Sequence, residues 1–159
     1  MSQLSLFIKT TMNEITHLNE VKVSYTCTAT EAVRTSAEAQ ELCRKAYDMA
    51  NANLSLKETF IILYFNRANK LIGFYVLSSG GLCGTIADLR IAFSIGLKCL
   101  ATSMILVHNH PSTNKQPSQS DLQLTKKFVK TGELLEIKVL DHIILTPDEY
   151  YSMSDKGQL

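Results

Sequence analysis

The chain has 159 residues, of which 45% are hydrophobic and 19% charged, and 16 Lys plus Arg against 15 Asp plus Glu leave a formal net charge of +1. That is the composition of a globular domain long enough to bury a core without staples, and it excludes a disordered chain. The balanced charge excludes a global basic field for nucleic acid or an anionic membrane, though a local patch remains open.

Residues 1–20 are polar and aperiodic and are read as an N-terminal extension, with a single domain over residues 21–159. Residues 1–9 carry a short apolar patch without the charged start, long apolar stretch and small-residue cleavage site of a leader. No apolar run approaches the ~20 residues of a membrane span. Residues 21–25 alternate apolar and polar, the mark of a half-buried strand. Thr35 and Glu38 stand at capping-box spacing and start a helix in which Leu42, Ala46 and Met49 recur at helical spacing. Residues 58–65 are rich in β-branched and aromatic side chains and predict a largely buried strand. Residues 66–70 turn the chain, and 71–77 return as the second arm of a hairpin. Glycines break this arm, and 84–86 form a short extended piece.

Residues 88–100 place Leu89, Ala92, Phe93, Gly96, Leu97 and Leu100 on one helical face. Residues 103–107 predict another buried strand, and 108–117 a polar loop. A helix begins at Ser118, with Leu122, Leu124, Phe128 and Val129 as its apolar positions. Residues 137–140 and 142–145 read as final strands stopped by Pro147, with Tyr150 and Tyr151 in a C-terminal tail. Elements alternate, yet the hairpin requires antiparallel pairing. The expected class is α/β of a mixed, α+β-like kind, with a mixed sheet flanked by helices. Cys27, Cys43, Cys83 and Cys99 are scattered without a CxxC pair, which points to buried thiols in a reducing, cytoplasmic setting.

Chemistry concentrates in residues 107–121. Two of the four histidines, His108 and His110, lie two residues apart after a predicted strand. On extended backbone such residues point to one side. Asp121 follows early in the next helix. Two neutral imidazoles and one carboxylate suit a catalytic zinc whose fourth position is left for water. Pro111 and Pro117 stiffen the connecting loop. Ser118 and Asp121 also form a helix N-cap that needs no function. It is the combination of HxH at a strand end with SxxD at a helix start that is specific.

At these residues the sequence resembles the JAB/MPN (JAMM) metalloenzymes, with an upstream Glu, HxH and SxxD. More closely it resembles the bacterial RadC-like branch, through residues 65–70, 108–112, 117–121 and 138–144. With residues 78–84 the resemblance covers roughly residues 36–159. It implies a JAB/MPN, cytidine-deaminase-like fold, with His108, His110 and Asp121 as zinc ligands. It places Ser118 near the attacking water and developing oxyanion, and Glu58, just before a buried strand, as general base. Glu41 on the preceding helix is a rival. Thr113 stands where relatives commonly have Gly, a residue that permits positive φ. His142, beside Asp141 in an apolar strand, is read as structural or as a support behind a ligand. His17 and the basic face of Lys126, Lys127 and Lys130 are read as solvated.

The resemblance implies a zinc metallohydrolase cleaving peptide or isopeptide bonds in an unknown protein or peptide. The alternative is a DNA-repair-associated or DNA-binding protein with a structural or vestigial metal site. The even charge and the lack of a readable helix-hairpin-helix region oppose DNA as a partner. MPN domains also serve as interaction modules, but those members typically lack the ligand residues.

Overall fold

The computed structural model describes residues 32–80 and 87–159. The expected strand at residues 21–25, the extended piece at 84–86, His17, Cys27 and Cys83 lie outside the described residues. Helix α1 (Ser36–Met49) starts where Thr35 accepts a hydrogen bond from the Glu38 backbone. Strands β1 (Thr59–Phe65) and β2 (Leu71–Ser79) form the expected hairpin. Its turn is held by Asn66 Oδ1, which accepts from the Ala68 and Lys70 amides. Helix α2 (Leu89–Lys98), strand β3 (Ser103–Asn109), helix α3 (Gln119–Leu135) and strands β4 (Lys138–Leu145) and β5 (Tyr150–Ser152) follow.

The five strands form one sheet in the order β2-β1-β3-β4-β5. Only β3 and β4 run parallel, and α3 is the crossover between them. The sheet is mixed and flanked by helices, as expected for a JAB/MPN fold. Alternation sorts the central strands. Ile61, Leu63, Ile105 and Val107 face α1 through Ala39, Cys43, Ala46 and Tyr47. Phe60, Ile62, Met104 and Leu106 face the other way, onto Ala92, Phe93 and Phe128 of α2 and α3. With both faces covered, every residue of β1 and β3 is buried. Among the described residues no helix is long and apolar enough to cross a membrane.

Four details depart from the sequence-based expectation. Strand β3 continues through His108 and Asn109, because Asn109 finds hydrogen-bond partners there and can be fully buried. Tyr150 and Tyr151 are not in a tail; they belong to β5, which pairs antiparallel with the end of β4. Leu97 and Leu100 are exposed; the buried face of α2 is made by Ala92, Phe93 and Gly96, with Leu89 and Ile95 packed beside it. The two final strands are one, β4, interrupted by a bulge: Met104 pairs with Val139, but Ile105 pairs with Asp141. The extra residue resets the side-chain phase. Val139 and His142 therefore share the α3 side of the sheet despite their odd spacing.

Candidate metal centre

The fold converges three donors on one point. His108 is the penultimate residue of β3, His110 follows the strand end, and Asp121 sits in the first turn of α3. Their donor atoms all lie within 4.8 Å of one another. The two Nε2 atoms are 2.9 Å apart. His108 Nε2 is 3.4 Å from Asp121 Oδ1, and His110 Nε2 is 3.6 Å from Asp121 Oδ2.

Local chemistry builds each position. Ser118 caps α3 with extended backbone, and its N–H and Oγ–H both donate to Asp121 Oδ2, at 2.7 and 2.6 Å. The Asp121 N–H donates back to Ser118 Oγ at 3.2 Å, which completes the capping box. Burial alone would raise the Asp121 carboxyl, but His110, His108 and the Ser118 donors hold it below the ordinary carboxylate range. His110 Nδ1 is 2.6 Å from the Asn114 carbonyl, which can only accept, so Nδ1 carries the proton and Nε2 a lone pair. The Asp121 carboxylate beside that nitrogen favours the protonated ring and raises the pKa of His110. Burial lowers His108 to about 4, so its imidazole is neutral at neutral pH.

His142 stands directly behind His108, its Nε2 2.9 Å from His108 Nδ1. Phe60 stacks on His108 with the rings nearly parallel, at a centroid distance of 5.8 Å. The turn after His110 is closed by the Thr113 N–H donating to the His110 carbonyl at 3.1 Å. Thr113 has φ of 63°, the left-handed region in which glycine is at ease and a β-branched residue is strained. The departure from Gly at this position thus leaves the backbone shape in place at an energetic cost.

Glu58 directly precedes β1. The β1–β3 register ends with Phe60 opposite His108, so Glu58, two residues before Phe60, enters the sheet at the His108 end of β3. The Glu58 charge acts on His110, raising its pKa. Glu41 is exposed on α1, which covers the opposite face of the sheet. Lys126, Lys127 and Lys130 are exposed on α3. A separate open cavity, lined by Val129, Gly132, Val139 and Leu159 among others, lies towards the C-terminal end of α3 and shares no residue with the donor cluster.

Asn109, between the two histidines, points the other way and ties down the segment that leads to Glu58. Its Nδ2 donates to the Leu54 and Lys57 carbonyls at 2.8 and 3.0 Å, and its Oδ1 accepts from the Thr59 N–H at 2.8 Å. The Tyr47 hydroxyl donates to the Thr59 carbonyl beside it. Asn109→Asp turns two donated hydrogen bonds into contacts between oxygens in a fully buried site. We expect it to lower the unfolding free energy by about 2 kcal/mol or more, measured by chemical denaturation. Neither Asn109 nor Thr125 stands out in the sequence as a supporting residue. The legible signal for Thr125 was its spacing, one helical turn beyond Asp121 on the same face.

Residues 33–158 match the RadC-like JAB domain family. The chain is 50% identical over 100 residues to a UPF0758 protein of Flavobacterium johnsoniae, covering 63% of this chain and 44% of that protein. It is 42% identical over 101 residues to a UPF0758 protein of Methanosarcina mazei, covering 64% of this chain and 44% of that protein. A UPF0758 protein of Bacillus cereus is 34% identical over 126 residues, or 79% of this chain and 56% of that protein. The chain thus spans about half the length of the curated relatives it matches.

Proposed function

The chain belongs to the RadC-like JAB domain family, and on that premise we propose that it is a zinc-dependent hydrolase of peptide or isopeptide bonds. The observation that carries this reading is the pair of imidazoles whose Nε2 atoms meet at 2.9 Å beside a carboxylate. Each imidazole carries its proton on the far nitrogen, so two lone pairs oppose each other unless a proton or a cation lies between them. Zinc suits that donor set, with two nitrogen ligands and one oxygen ligand.

Bound by His108, His110 and Asp121, zinc would supply a water acidic enough to ionise near neutral pH and a Lewis acid for a carbonyl oxygen. Glu58, whose charge acts on His110, takes the proton of the attacking water and returns it to the leaving amine. Ser118 holds Asp121 in place and, by turning its hydroxyl away from that carboxylate, donates to the developing oxyanion. His108 on β3 and Asp121 in the first turn of α3 sit on rigid elements, which limits the reorganisation needed at reaction.

The test is a zinc titration of the chelator-stripped protein, followed by assay on linear and branched, isopeptide-linked peptide libraries. One zinc per chain is expected, with cleavage that chelation abolishes and added zinc restores. Sub-stoichiometric zinc, or full zinc with no cleavage of either library, would overturn the reading.

A further inference from the structure

Behind the three donors lies a second layer of polar side chains that the reaction as described does not use. His142 and Thr125 are fully buried, as is His108 to within 1%. Thr125 Oγ1 lies 2.6 Å from the Asp121 carbonyl oxygen and 2.6 Å from His142 Nδ1. Its remaining neighbour is the Met153 sulfur at 3.3 Å, a weak acceptor. A hydroxyl has one proton, and a carbonyl oxygen can only accept, so that proton goes to Asp121. The Thr125 oxygen must then accept from His142, which puts the His142 proton on Nδ1. His142 Nε2 is left with a lone pair, and it can only accept from His108 Nδ1 at 2.9 Å. With its proton fixed there, His108 presents a bare Nε2 to the metal centre.

Resting on the metal-centre reading above, we infer that Thr125 and His142 are positioning residues that hold His108 in its ligating tautomer. The hydrogen bonds run from His108 through His142 and Thr125 to the backbone of Asp121, so they also join two ligands borne on different elements. Phe60 stacks on His108 and tilts against His142 at 5.5 Å, which fixes the planes of both rings. The β4 bulge is what turns His142 to this side of the sheet. The last link is the helical spacing of Thr125 from Asp121, whose carbonyl it caps from within α3.

Thr125→Val keeps the volume and removes the acceptor, while Thr125→Ser keeps the acceptor. Three readouts test this inference, and the first, taken without metal, separates it from the zinc reading. Long-range 1H–15N NMR of the imidazoles in the metal-free protein should show His108 and His142 protonated on Nδ1 in the wild type and in Thr125→Ser, and mixed tautomers in Thr125→Val. Competition with a chromophoric chelator should show zinc binding weakened by about 10–100-fold in Thr125→Val only, the range typical for loss of a residue supporting a ligand. The visible spectrum of the cobalt-substituted protein should change in the same variant. Nε2-protonated His108 in the metal-free wild type would overturn the inference whatever the zinc result. So would unchanged tautomers and affinity in Thr125→Val, or equal losses in both variants, which would mean that packing alone matters. A wild type with the expected tautomers but no zinc affinity would defeat the hydrolase reading and leave the hydrogen-bonded array standing.

Discussion

Glu58→Gln is expected to retain one zinc per chain and to lose about 10²–10⁴-fold in hydrolysis, the usual range for a general acid–base group. Gln has the same length and preserves the backbone of the segment before β1, including the Glu58 carbonyl that accepts from the Gly80 N–H at 3.0 Å. What it cannot do is take a proton from water. The loss should therefore fall on the maximal rate and spare both metal content and the thermal transition. Parallel assays of zinc stoichiometry, turnover and unfolding temperature check this. Undiminished turnover would remove Glu58 from the chemistry, and loss of zinc along with activity would make it part of the metal shell instead.

His110→Ala should weaken zinc binding by at least about 100-fold, more than the loss of a supporting residue typically costs. It is the cleanest ligand to remove. His110 is half-buried just beyond the end of β3, so its loss leaves the core intact and should change stability by about 1 kcal/mol or less. His108→Ala is a poorer probe, because it opens a cavity against Phe60 and strips His142 Nε2 of its partner inside the protein. Chelator competition and chemical denaturation on the His110 variant separate metal loss from unfolding. Zinc affinity within a few-fold of the wild type would exclude His110 from the coordination sphere.

How far the sequence revealed this arrangement can be followed residue by residue. HxH and SxxD were legible because local rules govern them: alternation on extended backbone puts His108 and His110 on one side, and a capping box presents Asp121 at the start of α3. The hairpin was legible because Asn66 supplies its own turn chemistry. What stayed hidden depends on tertiary phase. In simple alternation Val139 and His142 fall on opposite faces, and only the pairing of β4 against β3 shows the bulge that brings them together. Tyr150 joins the sheet because β4 offers a free edge at Leu145, a fact no local window contains. Leu100 satisfies a helical face on paper, but α2 ends at Lys98 and the chain turns at Leu100 with φ of 57°. Thr125 was passed over because a threonine in a helix is ordinary until its neighbours are known.

The β3–α3–β4 crossover carries His108, His110, Asp121, Thr125 and His142, whereas Glu58 arrives from the hairpin ahead of it. The groups that would hold zinc and the group that would move the proton thus come from separate parts of the chain. On the reading proposed above, Glu58 joins the metal-binding groups where β1 pairs with β3. The seam between β1 and β3 is then the place where the proposed metal shell and the proposed base are joined, so register along that seam sets their spacing.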